Sequence, residues 1–156
     1  MRRVAFVPVE ETPASVYLHP GQIFAASHSV LVSTVLGSCV AVCLWDPVAR
    51  VGGMNHFLLP RGKGPRYANE AMTQLIDELT SRGAFVARMV AKVFGGACVI
   101  PGFTGARQAI GAQNTEAALS FLAAHSIPVR AEQTGGRRGR KLLFHTGTGQ
   151  AYVKDI

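Results

Sequence analysis

"VSTVLGSCVAVCLWDPVARVGGMNHFLLP", residues 32–60, decides how this chain is read. Val, Leu, Cys and Trp crowd the stretch before Asp46-Pro47, and Val, Phe and Leu the stretch after it. β-branched and aromatic residues of this kind favour strands. Aspartate followed by proline favours a type I turn, because the proline ring presets its backbone angle. Two antiparallel strands, over residues 40–45 and 51–59, are therefore predicted. With the turn centred between Pro47 and Val48, Leu44 faces Val51 and Cys39 faces His56. Directly opposed residues hold their Cβ atoms about 4.5–5.5 Å apart, within reach of a thiol and an imidazole. Gly52-Gly53 is a natural bulge site, and a slip of one residue there would turn His56 to the other face.

A thiol beside an imidazole has a specific chemistry. Free cysteine, with a pKa of about 8.5, holds little thiolate at neutral pH. An imidazole can take its proton and later return it to a departing amine. A third group must hold the other ring nitrogen. Ser33 and Thr34, on the preceding strand (29–34), are the candidates, with Ser33 preferred and Thr34 the alternative. Gly37 allows close backbone approach, so amides near Ser38 and Cys39 can hold an oxyanion. Ordinary packing is the competing reading. Cys43 and Cys98 are read as small buried hydrophobes. His19, His28, His125 and His145 are read as structural.

The 156 residues suit a single domain over residues 1–156, and a hydrophobic content of 48% against 16% charged residues suits a packed core rather than a disordered chain. Three cysteines without framework spacing argue against a stapled secreted fold, and the spacing of Cys39 and Cys43 does not suit zinc. No apolar run is long enough for a membrane span, and the beginning of the chain (1–15) lacks a signal-peptide core. A cytoplasmic location without membrane insertion is expected. The net charge is +7, with a basic run at Arg137, Arg138, Arg140 and Lys141. Such a run can bind phosphates or RNA, but no RNA-binding motif accompanies it and no nucleic-acid partner is expected. It also suits an acidic protein partner.

Elsewhere, residues 66–83 carry Met72, Leu75, Ile76 and Leu79 at helical spacing, with Asn69 as N-cap and Gly83 as C-terminal cap. Residues 84–100 read as one or two buried strands broken at Gly95-Gly96. Residues 114–126 read as a second helix with Asn114 as N-cap and Glu116 in its first turn. Strands over 127–131, 141–145 and 151–154 complete the chain. The order implies a mixed α and β fold: a largely antiparallel β-sandwich covered by helices.

The segments "TVLGSCVAVCLWDP" and "GGMNHFLLP", with "RYANEAMTQLIDEL", "AKVFGGA", "IGAQNTEAALSFL" and "TGGRRGRKLLFHTGTG", resemble the CheD family of chemoreceptor glutamine deamidases. The resemblance covers nearly the whole chain. It implies hydrolysis of selected glutamine side-chain amides on chemoreceptor cytoplasmic domains, giving glutamate and ammonia, with no cofactor and no metal. It implies Cys39 as nucleophile and His56 as base. It also implies a third member six residues before the cysteine, usually threonine; that position here is Ser33. The CheC phosphatase is a further partner the resemblance implies. Two other readings stand beside it: a protein-glutamate methylesterase using the same pair, and a non-catalytic module that binds receptors, CheC or RNA.

Overall fold

A computed structural model describes residues 13–98 and 106–156, the side chains of 106–108 excepted. Nine strands and two helices follow in the order β1 (Ala14–Tyr17), β2 (Ile23–Ala26), β3 (Val30–Leu36), β4 (Val40–Asp46), β5 (Val51–Asn55), α1 (Ala68–Thr80), β6 (Val90–Gly95), α2 (Ala106–Ala124), β7 (Val129–Thr134), β8 (Arg140–His145) and β9 (Ala151–Asp155). The strands form two sheets, ordered β1-β3-β8-β9 and β2-β5-β4-β6-β7. Among the described strands, only β1–β3 and β6–β7 pair in parallel. The expected mixed, largely antiparallel sandwich with helices is therefore observed.

The burial pattern dictates the layering. In β3, Val30, Val32, Thr34 and Leu36 are buried, while Leu31, Ser33 and Val35 are not. Alternation with a period of two means that one face meets another layer. That layer is the second sheet: Val30, Val32, Leu36, Leu142 and Phe144 pack with Ala41, Cys43 and Met54. β4, central in its sheet, is apolar on both faces, as a strand covered twice must be. Its other face, Val40, Val42 and Leu44, packs against Met72, Leu75 and Leu79 of α1 and Ala118 and Leu122 of α2. The molecule is thus three layers deep: sheet, sheet, helices.

Several local expectations change. The strand predicted over 51–59 ends at Asn55, although Phe57 still bridges to Val40. Within residues 84–100, Val86–Arg88 is a single 3-10 turn and β6 is the one strand; residues 99 and 100 lie outside the described part, as do residues 1–12 of the segment examined for a leader. Asn69 does not cap α1, whose N-cap is Tyr67; its side chain instead bonds the backbone N–H and C=O of Gly62. Gly83 does end the helix region with a left-handed φ of 100°. Asn114 lies inside α2, which begins eight residues earlier, and so is not its N-cap. β1 and β2 were not among the predicted strands.

Candidate active site

The turn between β4 and β5 is longer than two residues. The Asp46 carboxylate accepts from the N–H groups of Val48 (2.9 Å) and Ala49 (3.1 Å), and Arg50 N–H donates to the Asp46 carbonyl. Arg50 takes a left-handed φ of 55° to close the loop. Four residues, Pro47 to Arg50, lie between the strands, so Leu44 pairs with Gly53 and not with Val51. Cys39 is consequently not directly opposite His56, contrary to the expected register. The displacement is two residues, however, and two residues preserve the face. No bulge forms at Gly52-Gly53.

The ladder continues at Val40–Phe57, so Cys39 and His56 become diagonal neighbours on the face that looks toward the first sheet. Diagonal Cβ atoms lie roughly 7–8 Å apart, a gap that an imidazole and a thiol arm can bridge. Asn55 shapes the break before His56. Its Oδ1 takes the Val42 N–H (2.9 Å), which a regular ladder would give to backbone, and its Nδ2 donates to Met72 Sδ.

The hydroxyl that meets His56 is that of Thr34, the alternative, and not that of the preferred Ser33. Thr34 Oγ1 lies 2.7 Å from His56 Nδ1 and donates to the Leu18 carbonyl, also at 2.7 Å. Ser33 points to the opposite side of β3, partly exposed. The threonine therefore stands five residues before Cys39, and the expected change to serine does not arise at the contact itself. The tautomer follows from counting protons. The single hydroxyl proton goes to a carbonyl, which only accepts, so Nδ1 must carry the proton shared with Oγ1. Nε2 then bears the lone pair. It is buried and has no hydrogen-bond partner among the described residues.

Burial is the main force on both reacting groups. It holds His56 down to about 4, helped by the nearby His19 charge. It pushes the Cys39 thiol up, opposed in part by its own backbone N–H. Both shifts favour the uncharged pair over a resting thiolate–imidazolium pair. Cys43, fully buried, has its thiol pushed far up and is inert packing, as expected; Cys98 is only half-buried, contrary to its reading as a core residue.

Gly37 and Cys39 are held from the side by the two residues that follow β6. Gly96 N–H donates to the Cys39 carbonyl and Ala97 N–H to the Gly37 carbonyl, both at 2.9 Å. Gly95 has φ of 111°, and a side chain there would run into the Cys39 carbonyl oxygen. Among the other histidines, His125 stacks on Phe121 and His145 accepts from Thr148 N–H, both local contacts. Asn114 was missed as a site residue. Its Nδ2 donates to the carbonyls of Ser38 (3.0 Å) and Leu58 (2.8 Å). The signal was there: an amide standing on the buried face of α2 otherwise made of Gly111, Ala118 and Leu122.

A thiol, a neutral imidazole whose outer nitrogen has no partner among the described residues, and a hydroxyl on its inner nitrogen are side chains of the kind a cysteine-dependent hydrolase uses. A family model described as CheD chemotactic sensory transduction matches residues 60–155, just beyond these three side chains. Matches over more of the chain include them. The chain is 52% identical over 155 residues (94% of its length, 90% of the relative's) to "Probable chemoreceptor glutamine deamidase CheD 1" of Anaeromyxobacter dehalogenans. It is 44% identical over 144 residues (89% and 72%) to proteins named "Probable chemoreceptor glutamine deamidase CheD" in Stenotrophomonas maltophilia and Xanthomonas euvesicatoria. The chain belongs to the CheD family.

Proposed function

We propose that this protein hydrolyses glutamine side-chain amides on bacterial chemoreceptors, through Cys39, His56 and Thr34. The observation that carries the mechanism is the Thr34–His56 hydrogen bond, which leaves Nε2 as an unpartnered base on the face shared with Cys39. The substrate follows from the names of the relatives.

The Cys39 S–H gives its proton to His56 Nε2 as the sulfur adds to the glutamine amide carbon. Amides near Ser38 and Cys39, with Gly37 permitting the approach, hold the oxyanion. The imidazolium returns the proton to the amide nitrogen, ammonia leaves and a thioester remains. Water, losing a proton to Nε2, adds to the thioester; the thiol departs and takes that proton back. The product is glutamate. Because resting Nε2 is neutral down to about pH 4, the acidic limb of kcat/KM lies below the usual histidine range. Because the thiol is raised, the neutral thiol–imidazole pair persists above the usual cysteine range, so the rate stays level through neutral pH and changes only in the alkaline range.

The substrate places the enzyme in the cytoplasm, against receptor cytoplasmic domains. A CheC-type phosphatase is the second partner that family membership suggests. No described helix is long and apolar enough to cross a membrane.

The test is peptide mass spectrometry of a chemoreceptor cytoplasmic fragment incubated with wild type and with Cys39→Ala. Conversion of glutamine to glutamate by wild type alone is expected. Conversion by Cys39→Ala sinks the nucleophile. Hydrolysis of glutamyl methyl esters with untouched glutamines would reassign the activity to an esterase.

A further inference from the structure

The hydroxyl on Nδ1 aims the imidazole, but it does not hold the base against the thiol. Cys39 precedes β4 and His56 follows β5, both just outside regular strand. Two backbone hydrogen bonds between Val40 and Phe57, at 3.1 and 3.0 Å, tie these two ends on one side, and a side chain adds a second tie. The only side chain among the described residues that bonds the backbone of both flanks is Asn114.

We propose that Asn114 is a positioning residue: one amide group on α2 clamps the Ser38 carbonyl and the Leu58 carbonyl, and so sets the spacing between Cys39 and His56. The two acceptors stand one residue before the cysteine and two after the histidine. Both protons of a single planar NH2 group are used, so the separation and direction of the two carbonyls are fixed together. α2 reaches this depth through a close backbone approach. A side chain on Gly111 would strike the Gly96 carbonyl, and one on Gly96 would strike Thr115 and Gly111. The same Gly96 donates to the Cys39 carbonyl.

The other half of the amide argues that stability alone does not explain the residue. Asn114 is fully buried, yet Oδ1 has no hydrogen-bond partner among the described residues. An orphaned buried acceptor is destabilising, and most buried polar atoms avoid it. The position tolerates that cost while the two donor bonds remain.

The inference rests on the Cys39–His56 pair of the proposed mechanism but not on its substrate, so it is tested without one. The rate of Cys39 alkylation by iodoacetamide, located by peptide mass spectrometry, is measured in wild type, His56→Gln, Asn114→Ala and the double variant. The temperature is one at which circular dichroism shows all four folded. His56→Gln should slow alkylation about tenfold in the wild-type background and by less than about twofold in the Asn114→Ala background, a coupling of the size contacting residues show. Asn114→Leu, of similar volume and without donors, takes the place of Asn114→Ala if that variant does not fold. A merely structural Asn114 would give the same His56 effect in both backgrounds, and that result overturns the clamp. No His56 effect in wild type overturns the dyad as well, which distinguishes the two failures.

Discussion

The two ends of the β4–β5 hairpin bury polar groups in opposite ways. At the turn, Asp46 is fully buried, and its carboxylate accepts from Val48, Ala49, Phe85 and Arg88. Burial alone would raise its pKa, but the Arg88 guanidinium and the three backbone N–H groups outweigh it and hold the carboxyl down at about 2. At the open end, His56 and Asn114 are just as buried, and each keeps one atom without a partner among the described residues. A satisfied buried group locks a fold; an unsatisfied one stores reactivity. One hairpin thus carries its anchor at one end and its chemistry at the other, and β4 connects them.

Removing the anchor should have the largest effect on stability. Asp46→Ala strands the Phe85 N–H and frees Arg88, whose side chain is 34% exposed and can rehydrate. The expected loss is about 3 kcal/mol, near the lower end for breaking a buried pair. Urea denaturation checks it, while the activity of the remaining folded molecules should stay near wild type. A loss under about 1 kcal/mol would mean that the two ends do not differ as described.

Acid separates the ends in order. An unfolded histidine takes its proton near 6.5, whereas folded His56 waits until about 4. Between those values the unfolded chain binds more protons, so stability falls as pH falls through that window, by roughly 3 kcal/mol. Asp46 also has a depressed folded value, so its contribution is intact above about pH 4 and is lost as pH falls toward about 2. Urea midpoints of wild type and His56→Gln between pH 7 and 4 should converge as the pH drops, since the variant lacks the first step. Parallel lines would refute the buried neutral imidazole.

How far the sequence carried this reading differs between the same two ends. The fold was legible because β-branched and aromatic residues crowd the strands, and Met72, Leu75, Ile76 and Leu79 recur at helical spacing. The turn was misjudged because the Asp46 side chain takes over two backbone amides, and Arg50 adds a left-handed residue; neither is visible in a proline rule. Cys39 and His56 still fall on one face despite that error, because it amounted to two residues. Asn114 was read as a helix cap, a place where asparagine is favoured, because the turns before it showed no helical periodicity.

Thr34 and Ser33 give the smallest and sharpest test. Both faces of β3 carry apolar residues, Val30, Val32 and Leu36 on one, Leu31 and Val35 on the other, so alternation alone could not say which hydroxyl looks inward. Packing of the two sheets decides it, and the hydrogen bond to Nδ1 is made by Thr34. Thr34→Val keeps the shape but strands the Nδ1 proton and the Leu18 carbonyl. A lost buried hydrogen bond is worth about 1–3 kcal/mol, which would lower kcat by about 5- to 150-fold if it is felt in the transition state, with KM little changed. Thr34→Ser restores the hydroxyl and should recover most of that rate, whereas Ser33→Ala should stay within about twofold of wild type because its side chain never meets the ring. A loss confined to Ser33→Ala would reverse the assignment. Equal losses in both would mean that β3 acts through its backbone, and that neither hydroxyl sets the tautomer of His56.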